Sequence, residues 1–353
     1  MQTSAASQAS PLAIALDAMG GDFSPKNEVE GALQALKETN GRLKILLVGP
    51  VEEITAELRR LAGAPGPNGT WPGIEIIPAS EVISMHDEPV AALRQKRDSS
   101  IVKGFDLLKE GTASAFVSAG NTGAVMSGAT LLLGRIPGIS RPTIGTVFPR
   151  PEGGYTLVFD VGATVDSKPI HLLTYAVMGS IFAETILGMT SPRVGLLSVG
   201  EERTKGNELV FETATLLEAS RLNFCGNVEG RDIFKSTVDV IVCDGFVGNI
   251  ALKLAESMLP TLRTVVRKYA GQGIIHKIKA GIAASVLRES LKDFDYQEYG
   301  GVPLLGVKGV TIIGHGSSTP KAIKNMLLRA EEMVTRNIVA KITEAVGREV
   351  PVG

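Results

Sequence analysis

The chain has 353 residues, of which 44% are hydrophobic, so it is long enough to bury a large core. Its formal net charge of −1 gives no overall attraction to nucleic acid or to a membrane, and nucleic acid is not an expected partner. The two cysteines form no CxxC motif, and a chain of this size needs no disulfide, so we expect a reducing cytoplasm.

The first ten residues, MQTSAASQAS, lack the basic and apolar regions of a signal peptide. We expect residues 1–10 to be a disordered tail and residues 11–350 to form a single domain. No apolar run approaches the length of about 18 residues that spans a bilayer, so no transmembrane helix is expected.

Short apolar segments alternate with longer amphipathic ones almost to the end of the chain. The apolar segments are rich in Val, Ile and Leu without strict alternation, which is typical of strands covered on both faces. The predicted strands are residues 12–17, 43–48, 74–78, 113–118, 155–160, 193–199, 238–243 and 310–313. The clearest predicted helices are residues 27–39, 169–187, 207–220 and 320–342. This order predicts an α/β fold with a doubly wound, mostly parallel sheet and helices on both faces.

Small residues follow four of these strands, just before a predicted helix. These junctions contain Gly20, Gly21 and Asp22; Gly120, Asn121, Thr122 and Gly123; the segment 244–249; and Gly314, His315, Gly316, Ser317 and Ser318. Free backbone amides and a helix N-terminus attract anions at such junctions. A turn explains any one of these glycines, but the set favours phosphate binding at the carboxyl ends of the strands.

Several common signatures are missing. There is no GxxxxGK[ST], no GxGxxG and no HExxH, so a P-loop, a nicotinamide site and a zinc site are not expected, and we predict neither metal nor cofactor. Carboxylates near strand ends still leave a magnesium site open. There is also no GxSxG nucleophile motif. If phosphate attacks a thioester directly, the protein needs no nucleophile and has only to bind the anion, stabilise the oxyanion and manage a proton.

The same junctions lie in longer distinctive segments. These include ALDAMGGDFSPK at 15–26, DEPVAALRQKRDSSI at 87–101, SAGNTGAVMSG at 118–128, FDVGATVDSKPIHLL at 159–173, VGLLSVGEERTKGNEL at 194–209, GNVEGRDIFKSTVDVIVCDGFVGNIALK at 226–253, YGGVPLLGVKG at 299–309 and GHGSS at 314–318. In these segments the chain resembles the PlsX family of phosphate acyltransferases, from residue 12 to residue 339. Thr164, Ser167, Ser198 and Ser236 depart mildly from the residues usual in that family.

The resemblance implies a homodimer with a fold similar to that of decarboxylating dehydrogenases and phosphotransacetylases. It implies transfer of an acyl group from acyl-carrier protein to inorganic phosphate, and passage of the acyl phosphate to a membrane glycerol-3-phosphate acyltransferase. The enzyme would then be part of phospholipid synthesis. From its own residues we expect it to be cytoplasmic and peripherally bound to the membrane. A coenzyme A-dependent acetyl phosphate transferase and a noncatalytic scaffold for carrier protein and membrane are the alternatives.

Four residues are candidates for catalysis. Lys205 follows a predicted strand, where its ammonium could hold phosphate and offset oxyanion charge; the alternative is a surface lysine beside two glutamates. Asn249 could donate to the thioester carbonyl, or cap a helix that starts at residue 250. Asp244 is a base, an orienting group or only a turn former. His315 is either a proton carrier or a structural hydrogen-bonding group.

Further polar residues lie at the same strand ends. Asp166 and Lys168 either shape the electrostatics of the site or form an internal ion pair. For Asn121 and Thr122, contact with phosphate or substrate is favoured over helix capping.

Residues 257–288 contain no acidic residue, which is unusual for this chain. Pro260 and the break at 270–273 predict a hairpin of two helices within about 257–290, with residues 273–287 as the arm that faces a membrane. The predicted contacts are Arg263, Arg267, Lys268, Lys277 and Lys279 together with the apolar Ile274, Ile275, Ile278, Ile282 and Val286. A basic amphipathic segment is typical of membrane-surface helices. Docking of an acidic carrier protein and packing at a dimer interface are the alternatives.

Overall fold

The computed structural model describes residues 10–290 and 300–349. The predicted disordered tail, apart from Ser10, lies outside these described residues. The chain divides into two compact units: the first contains residues 1–134 and 307–337, and the second contains residues 135–306 and 338–353. The expectation of a single domain over 11–350 stays a prediction.

Strands and helices alternate through the described residues. The strands are β1 (Leu12–Asp17), β2 (Leu43–Gly49), β3 (Ile74–Pro78), β4 (Ala115–Ser118), β5 (Thr143–Pro149), β6 (Tyr155–Phe159), β7 (Arg193–Leu197), β8 (Asn223–Val228), β9 (Val240–Val242), β10 (Val302–Leu305) and β11 (Val310–Ile313). The helices are α1 (Lys26–Thr39), α2 (Val51–Ala62), α3 (Pro89–Gln95), α4 (Ser100–Glu110), α5 (Thr122–Gly128), α6 (Pro169–Leu187), α7 (Glu208–Ala219), α8 (Gly245–Ala270), α9 (Ile274–Ser290), α10 (Pro320–Thr335) and α11 (Ile338–Glu349).

The first unit is built on a parallel sheet with strand order β3-β2-β1-β4-β11. Consecutive side chains of β1, such as Ile14, Ala15 and Leu16, are all buried, so both faces of the strand are covered. Helices α1 and α10 pack on each other, and α4 packs on β1, β2 and β4. The predicted α/β architecture is confirmed in this unit.

The second unit contains the strand order β10-β5-β6-β9-β7-β8. Strand β5 runs antiparallel to β10 and β6, whereas β6, β9, β7 and β8 are parallel. Helix α6 packs on α7, α11, β6 and β9. By length and composition α6 could cross a membrane, but most of it is buried inside the unit, as expected for a core helix.

The sequence prediction missed three strands and joined two helices into one. The prediction missed β5, β8 and β10. Residues 320–342 form two helices instead of one, because Asn337 adopts a left-handed conformation (φ 55°) after α10 ends.

Helices α8 and α9 pack on each other as the predicted hairpin, and its break lies between Ala270 and Ile274. The prediction was wrong about the first arm. It begins at Gly245, and Pro260 lies inside it although proline removes one helical hydrogen bond.

Candidate functional site

In the first unit, a buried carboxylate joins the ends of two neighbouring strands. Asp17 is the last residue of β1, and its Oδ2 accepts a hydrogen bond of 2.7 Å from Ser118 Oγ at the end of β4. Its Oδ1 accepts a hydrogen bond of 3.1 Å from the amide of Met19. Ser118 Oγ in turn accepts from the amide of Gly120 at 3.0 Å. This chain of hydrogen bonds fixes the loops after β1 and β4 against each other.

The loop after β11 meets the same two loops. Gly314 N–H donates to Ser118 O at 2.8 Å, and Asp22 N–H donates to Gly316 O at 2.7 Å. A Cβ atom at Gly20 would lie 2.7 Å from the amide nitrogen of Gly120, so this contact requires glycine at position 20. The structure therefore brings three of the four predicted phosphate loops together at one edge of this sheet.

The predicted contact residues in these loops differ in how exposed their side chains are. Asn121 is buried and caps α5: its Oδ1 accepts from Ala124 N at 3.0 Å, and its Nδ2 donates to Ser84 O at 3.0 Å. Thr122 is exposed beside it. His315 is also exposed, with its Nδ1 at 2.8 Å from Ser317 Oγ. A substrate would therefore meet Thr122, His315 and backbone amides sooner than the Asn121 side chain.

The interior behind these loops is acidic. Burial raises the pKa of the Asp17 carboxyl, although hydrogen bonds from Ser100, Ser118 and Met19 oppose the shift. Burial also raises the pKa of Glu28 to about 8, and the nearby Asp17 and Asp22 carboxylates add to this. The Glu28 side chain lies against the backbone of Gly21. At neutral pH we therefore expect Glu28 to be mostly uncharged beneath the loop after β1.

In the second unit, Asp160 follows β6 and is fully buried. Its carboxylate accepts hydrogen bonds from the amides of Gly162 (3.2 Å), Ala163 (2.9 Å) and Thr164 (2.7 Å). Burial raises the pKa of Asp160, and these amide hydrogen bonds oppose the rise. The carboxylate thus fixes the start of the loop that carries Asp166 and Lys168.

The first turn of α8 packs on this loop. Gly245 N–H donates to Thr164 O at 2.9 Å, and a Cβ atom at Gly245 would lie 2.7 Å from Asp160 Oδ2. A Cβ atom at Gly162 would lie 3.4 Å from Asn249 Oδ1, so the Asn249 side chain is next to the same loop.

The alternative in which Asn249 caps the helix is wrong. Helix α8 begins at Gly245, and its cap is Asp244, whose Oδ1 accepts from Val247 N at 3.0 Å. Asn249 is therefore a residue of the helix itself and does not cap it. Its side-chain amide is exposed. Capping gives Asp244 a structural role, and its role as a base stays a prediction.

Lys168 and Asp166 are both exposed just before α6. Within the described part of the chain they form no ion pair with each other, so the ion-pair alternative is not realised. Lys168 N–H donates to His171 Nδ1 at 3.1 Å. Burial lowers the pKa of His171, and the nearby Arg141 and Lys168 lower it further.

Lys205 lies on the loop between β7 and α7, with its side chain exposed. Its aliphatic stem lies over Gly200, where a Cβ atom would be 2.8 Å from Lys205 Cγ. Of the two neighbouring glutamates, Glu201 pairs with Arg231 at 3.1 Å. Among the described residues Lys205 has no ion-pair partner, and its role in the reaction stays a prediction.

Three candidate side chains share one edge of the second unit. Strands β6, β9 and β7 are adjacent and parallel, so the loops that follow them leave the same side of the sheet. Lys168 and Lys205 lie in the loops after β6 and β7, and Asn249 lies near the start of α8, which follows β9. Two cations and an amide at adjacent strand ends suit an anionic oxygen.

The described residues contain no group of three or more His, Cys, Asp or Glu side chains that could hold a metal ion. The absence of a metal in the reaction stays a prediction.

Comparison with known proteins identifies the family. The model of the family described as "Fatty acid synthesis protein" matches residues 12–341. A phosphate acyltransferase from Halothermothrix orenii is 46% identical over 340 residues, which cover 96% of this chain and 99% of that protein. A phosphate acyltransferase from Heliobacterium modesticaldum is 50% identical over 342 residues, which cover 97% and 100% of the two chains. The chain belongs to the fatty acid synthesis protein family. The predicted PlsX family and acyltransferase class are confirmed.

Solved structures that resemble this chain are more distant. A phosphotransacetylase from Streptococcus pyogenes has a TM-score of 0.53 at 17% identity, over 96% of this chain and 94% of that chain. A branched-chain phosphotransacylase from Enterococcus faecalis has a TM-score of 0.57 at 14% identity, over 92% and 99% of the two chains. At these identities the likeness shows a shared fold, and the predicted fold class is confirmed.

Sequence analysis missed the residues that hold the loops of this family member in place. Asp17 and Asp160 each follow an apolar segment and precede a glycine-containing turn, in LDAMGG and FDVGA. That shared pattern was the available signal for a buried, loop-fixing carboxylate. Asn227 lies in the quoted segment GNVEG, but nothing in the sequence indicates which loop its amide contacts.

Proposed function

We propose that this protein transfers a fatty acyl group from an acyl-carrier-protein thioester to inorganic phosphate. The observation that carries the proposal is the adjacent placement of Lys168, Asn249 and Lys205 at the strand ends of the second unit. Membership of the fatty acid synthesis protein family supports it. The phosphate acyltransferase relatives support it as well.

The reaction would proceed by direct attack. A phosphate oxygen forms a bond to the thioester carbonyl carbon, the carbon–sulfur bond breaks, and the departing carrier thiolate takes up a proton. We assign Lys205 to phosphate and to the charge that develops on the carbonyl oxygen, and Asn249 to a hydrogen bond with that oxygen. Lys168 would add positive charge for the phosphate. Asp244 would orient groups at the start of α8. A proton-carrying role for His315, which belongs to the first unit, stays a prediction.

The cysteines support direct attack over an acyl-enzyme. Cys243 is buried, and burial raises the pKa of its thiol well above the ordinary value. A thiol in this state is a poor nucleophile, because the thiolate is the reactive form. Cys225 is exposed on β8 and not on one of the strand-end loops.

The hairpin of α8 and α9 is the proposed contact with a membrane. Ile274 is 81% exposed and Ile282 is 65% exposed, and Ile275, Ile278 and Val286 are exposed as well. The predicted basic contacts are exposed too: Arg263, Arg267, Lys268, Lys277 and Lys279. Exposed apolar side chains next to cations suit the surface of an anionic bilayer. Acyl phosphate could then pass to a membrane glycerol-3-phosphate acyltransferase, and the enzyme would be cytoplasmic and peripherally bound.

The homodimer has a separate candidate surface. Phe246, Ile250, Leu254 and Met258 are more than half exposed and recur every four residues along α8. Such a spacing places them on one face of the helix, and an exposed apolar stripe favours contact with another protein. A second copy of the chain is the partner we propose for it.

The test of the activity is a reconstituted reaction with a donor panel. Purified protein is mixed with phosphate and either acyl-carrier protein or acyl-coenzyme A, and acyl phosphate and free thiol are quantified by mass spectrometry. We expect acyl phosphate from the carrier-protein donor, and with radiolabelled donor but no phosphate we expect unlabelled protein. Turnover of coenzyme A thioesters alone would support the competing transferase. Absence of thiol release with either donor would support the scaffold, and stoichiometric labelling of a cysteine would replace direct attack by a ping-pong scheme.

A further inference from the structure

A buried asparagine holds the turn that carries Lys205. Asn227 lies on β8, next to β7, with Leu196 as its register partner, and its side chain is only 7% exposed. Its Nδ2 donates one hydrogen bond to the carbonyl oxygen of Glu202 at 3.0 Å and a second to that of Lys205 at 3.3 Å. An asparagine amide has two N–H donors, and here both go to the two ends of one turn.

The same turn closes on itself through its backbone. Lys205 N–H donates to Glu202 O at 2.9 Å, so the carbonyl of Glu202 receives hydrogen bonds from both Lys205 and Asn227. The flanking residues are fastened at the surface: Arg203 pairs with Glu218 at 2.8 Å, and Glu201 pairs with Arg231 at 3.1 Å. Exposed ion pairs of this kind contribute little to the free energy of folding. The partly buried hydrogen bond to the carbonyl of Lys205 is therefore better suited to fix the position of that residue.

The oxygen atom of the Asn227 side-chain amide takes no part in these contacts. This atom, Oδ1, is buried, and among the described residues it has no hydrogen-bond partner. An apolar residue of the same shape, such as leucine, would therefore remove only the two donated hydrogen bonds. Both receiving carbonyls belong to residues with exposed side chains on a surface loop, where water can replace a lost donor. The fold should survive the change, whereas the conformation of the turn should not.

We infer that Asn227 is a positioning residue, which holds the Glu202–Lys205 turn in the conformation that Lys205 needs for acyl transfer. This inference rests on the proposed role of Lys205 in the reaction. Asn227 acts through Lys205 and touches neither phosphate nor thioester. A displacement of about 1 Å in a catalytic group can cost on the order of 100-fold in rate, so loss of these two bonds should be visible in turnover.

The test is a double-mutant cycle between Asn227→Leu and Lys205→Ala, read as kcat/KM for phosphate. We expect Asn227→Leu alone to lower kcat/KM about 10- to 100-fold, with a native circular dichroism spectrum. In the Lys205→Ala background the same change should have less than about a twofold effect, because the group that Asn227 positions is gone. Asn223→Leu is the matched control: its Nδ2 donates to Ser191 O at 3.0 Å at the other end of β8, and it should keep parental activity.

Other results of this cycle would contradict either the positioning role of Asn227 or the proposed role of Lys205. If Asn227→Leu keeps normal activity, or lowers it by the same factor with and without Lys205, Asn227 is not a positioning residue for Lys205. If Lys205→Ala alone keeps normal activity, the proposed role of Lys205 fails, and this inference fails with it. Should Asn227→Leu not fold, Asn227→Asp replaces it in the same cycle, since a carboxylate keeps the shape but has no N–H to donate.

Discussion

The hydroxyl of Ser118 donates a 2.7 Å hydrogen bond to the carboxylate of Asp17, and both groups are buried. The two residues are 101 positions apart in the chain, at the ends of the adjacent strands β4 and β1. Their contact explains why the loops after these strands meet.

Ser118→Ala should destabilise the first unit. The change removes one of the donors to the buried carboxylate of Asp17 and leaves the amide of Gly120 without its acceptor, which costs about 1–3 kcal/mol. Urea denaturation measures the loss of unfolding free energy. Ser114→Ala, just before the same strand, is the control, and it should change stability by less than about 0.5 kcal/mol. If the two changes lower the unfolding free energy equally, the hydrogen bond from Ser118 to Asp17 does not contribute specifically to stability.

Lys205→Ala should fold normally and lose most of its turnover. One positioned charge on a developing oxyanion contributes roughly 3–4 kcal/mol, so kcat should fall by about two to three orders of magnitude. Steady-state release of thiol measures the rate, and circular dichroism checks the fold. Lys235→Ala removes a lysine of the same unit that pairs with Asp232 at 3.4 Å, and it should leave the rate unchanged. If Lys205→Ala keeps the parental rate, the active site does not include this loop.

Glu28 should make stability depend on pH. Burial raises its pKa from 4.5 to about 8, so between these values the folded protein keeps a proton that the unfolded chain has released. The stabilisation that this retained proton contributes is fully present below pH 4.5 and is lost as the pH rises to about 8. Over this range the unfolding free energy falls by at most about 1.4 kcal/mol per pH unit.

Glu28→Gln cannot release that proton, so its stability relative to the parent should increase from about pH 5 to about pH 8 and then level off. Urea denaturation across this range measures the difference. Glu30→Gln changes a partly exposed glutamate on the same helix, and it should not change how the unfolding free energy depends on pH. Parallel stability curves for Glu28→Gln and the parent would show that Glu28 is ionised in the folded protein.

Replacing both Ile278 and Ile282 by Asp should abolish sedimentation with anionic vesicles and leave turnover in solution largely intact. The change removes exposed apolar area and adds two negative charges. The double change Gln272→Asp and Ser285→Asp adds the same charge at exposed polar positions, so it separates the two effects. Binding by the parent should weaken with salt. Unchanged vesicle binding, or loss of the dimer instead, would make the hairpin a protein interface.

How far the sequence predicts this fold depends on the kind of strand. Strands without glycine or proline, such as β1 and β11, match the prediction at both ends. The missed strands are atypical: β5 contains Gly145, β8 contains Gly226 and lies at the end of the strand order, and β10 contains Pro303. Their pattern is weak because glycine and proline are poor strand formers and an end strand need not be apolar on both faces.

The site is predictable only in part for a related reason. Polar residues in the segments that follow apolar strands can be found from the sequence, and together with the family resemblance this finds Lys168, Asn249 and Lys205. Partners that come from a different strand cannot be found in this way. The contacts of Asn227 with the turn at Lys205, and of Ser118 with Asp17, depend on which strands are neighbours. Helix capping at Asp244 was missed because Gly245 and Gly248 make a poor helix start by propensity, although close packing on Asp160 requires them.

The order of the two units along the chain has a consequence for synthesis on the ribosome. The first unit begins the sequence, but β11 and α10 belong to it and are made only after most of the second unit. Until then β4 lacks one neighbour, and α1 lacks the helix that packs on it. A nascent chain therefore carries an unpaired apolar edge for most of translation, which is the kind of surface that chaperones protect. Truncation before α10 should therefore destabilise both units, because it removes α10 from the first unit and α11, which packs on α6, from the second.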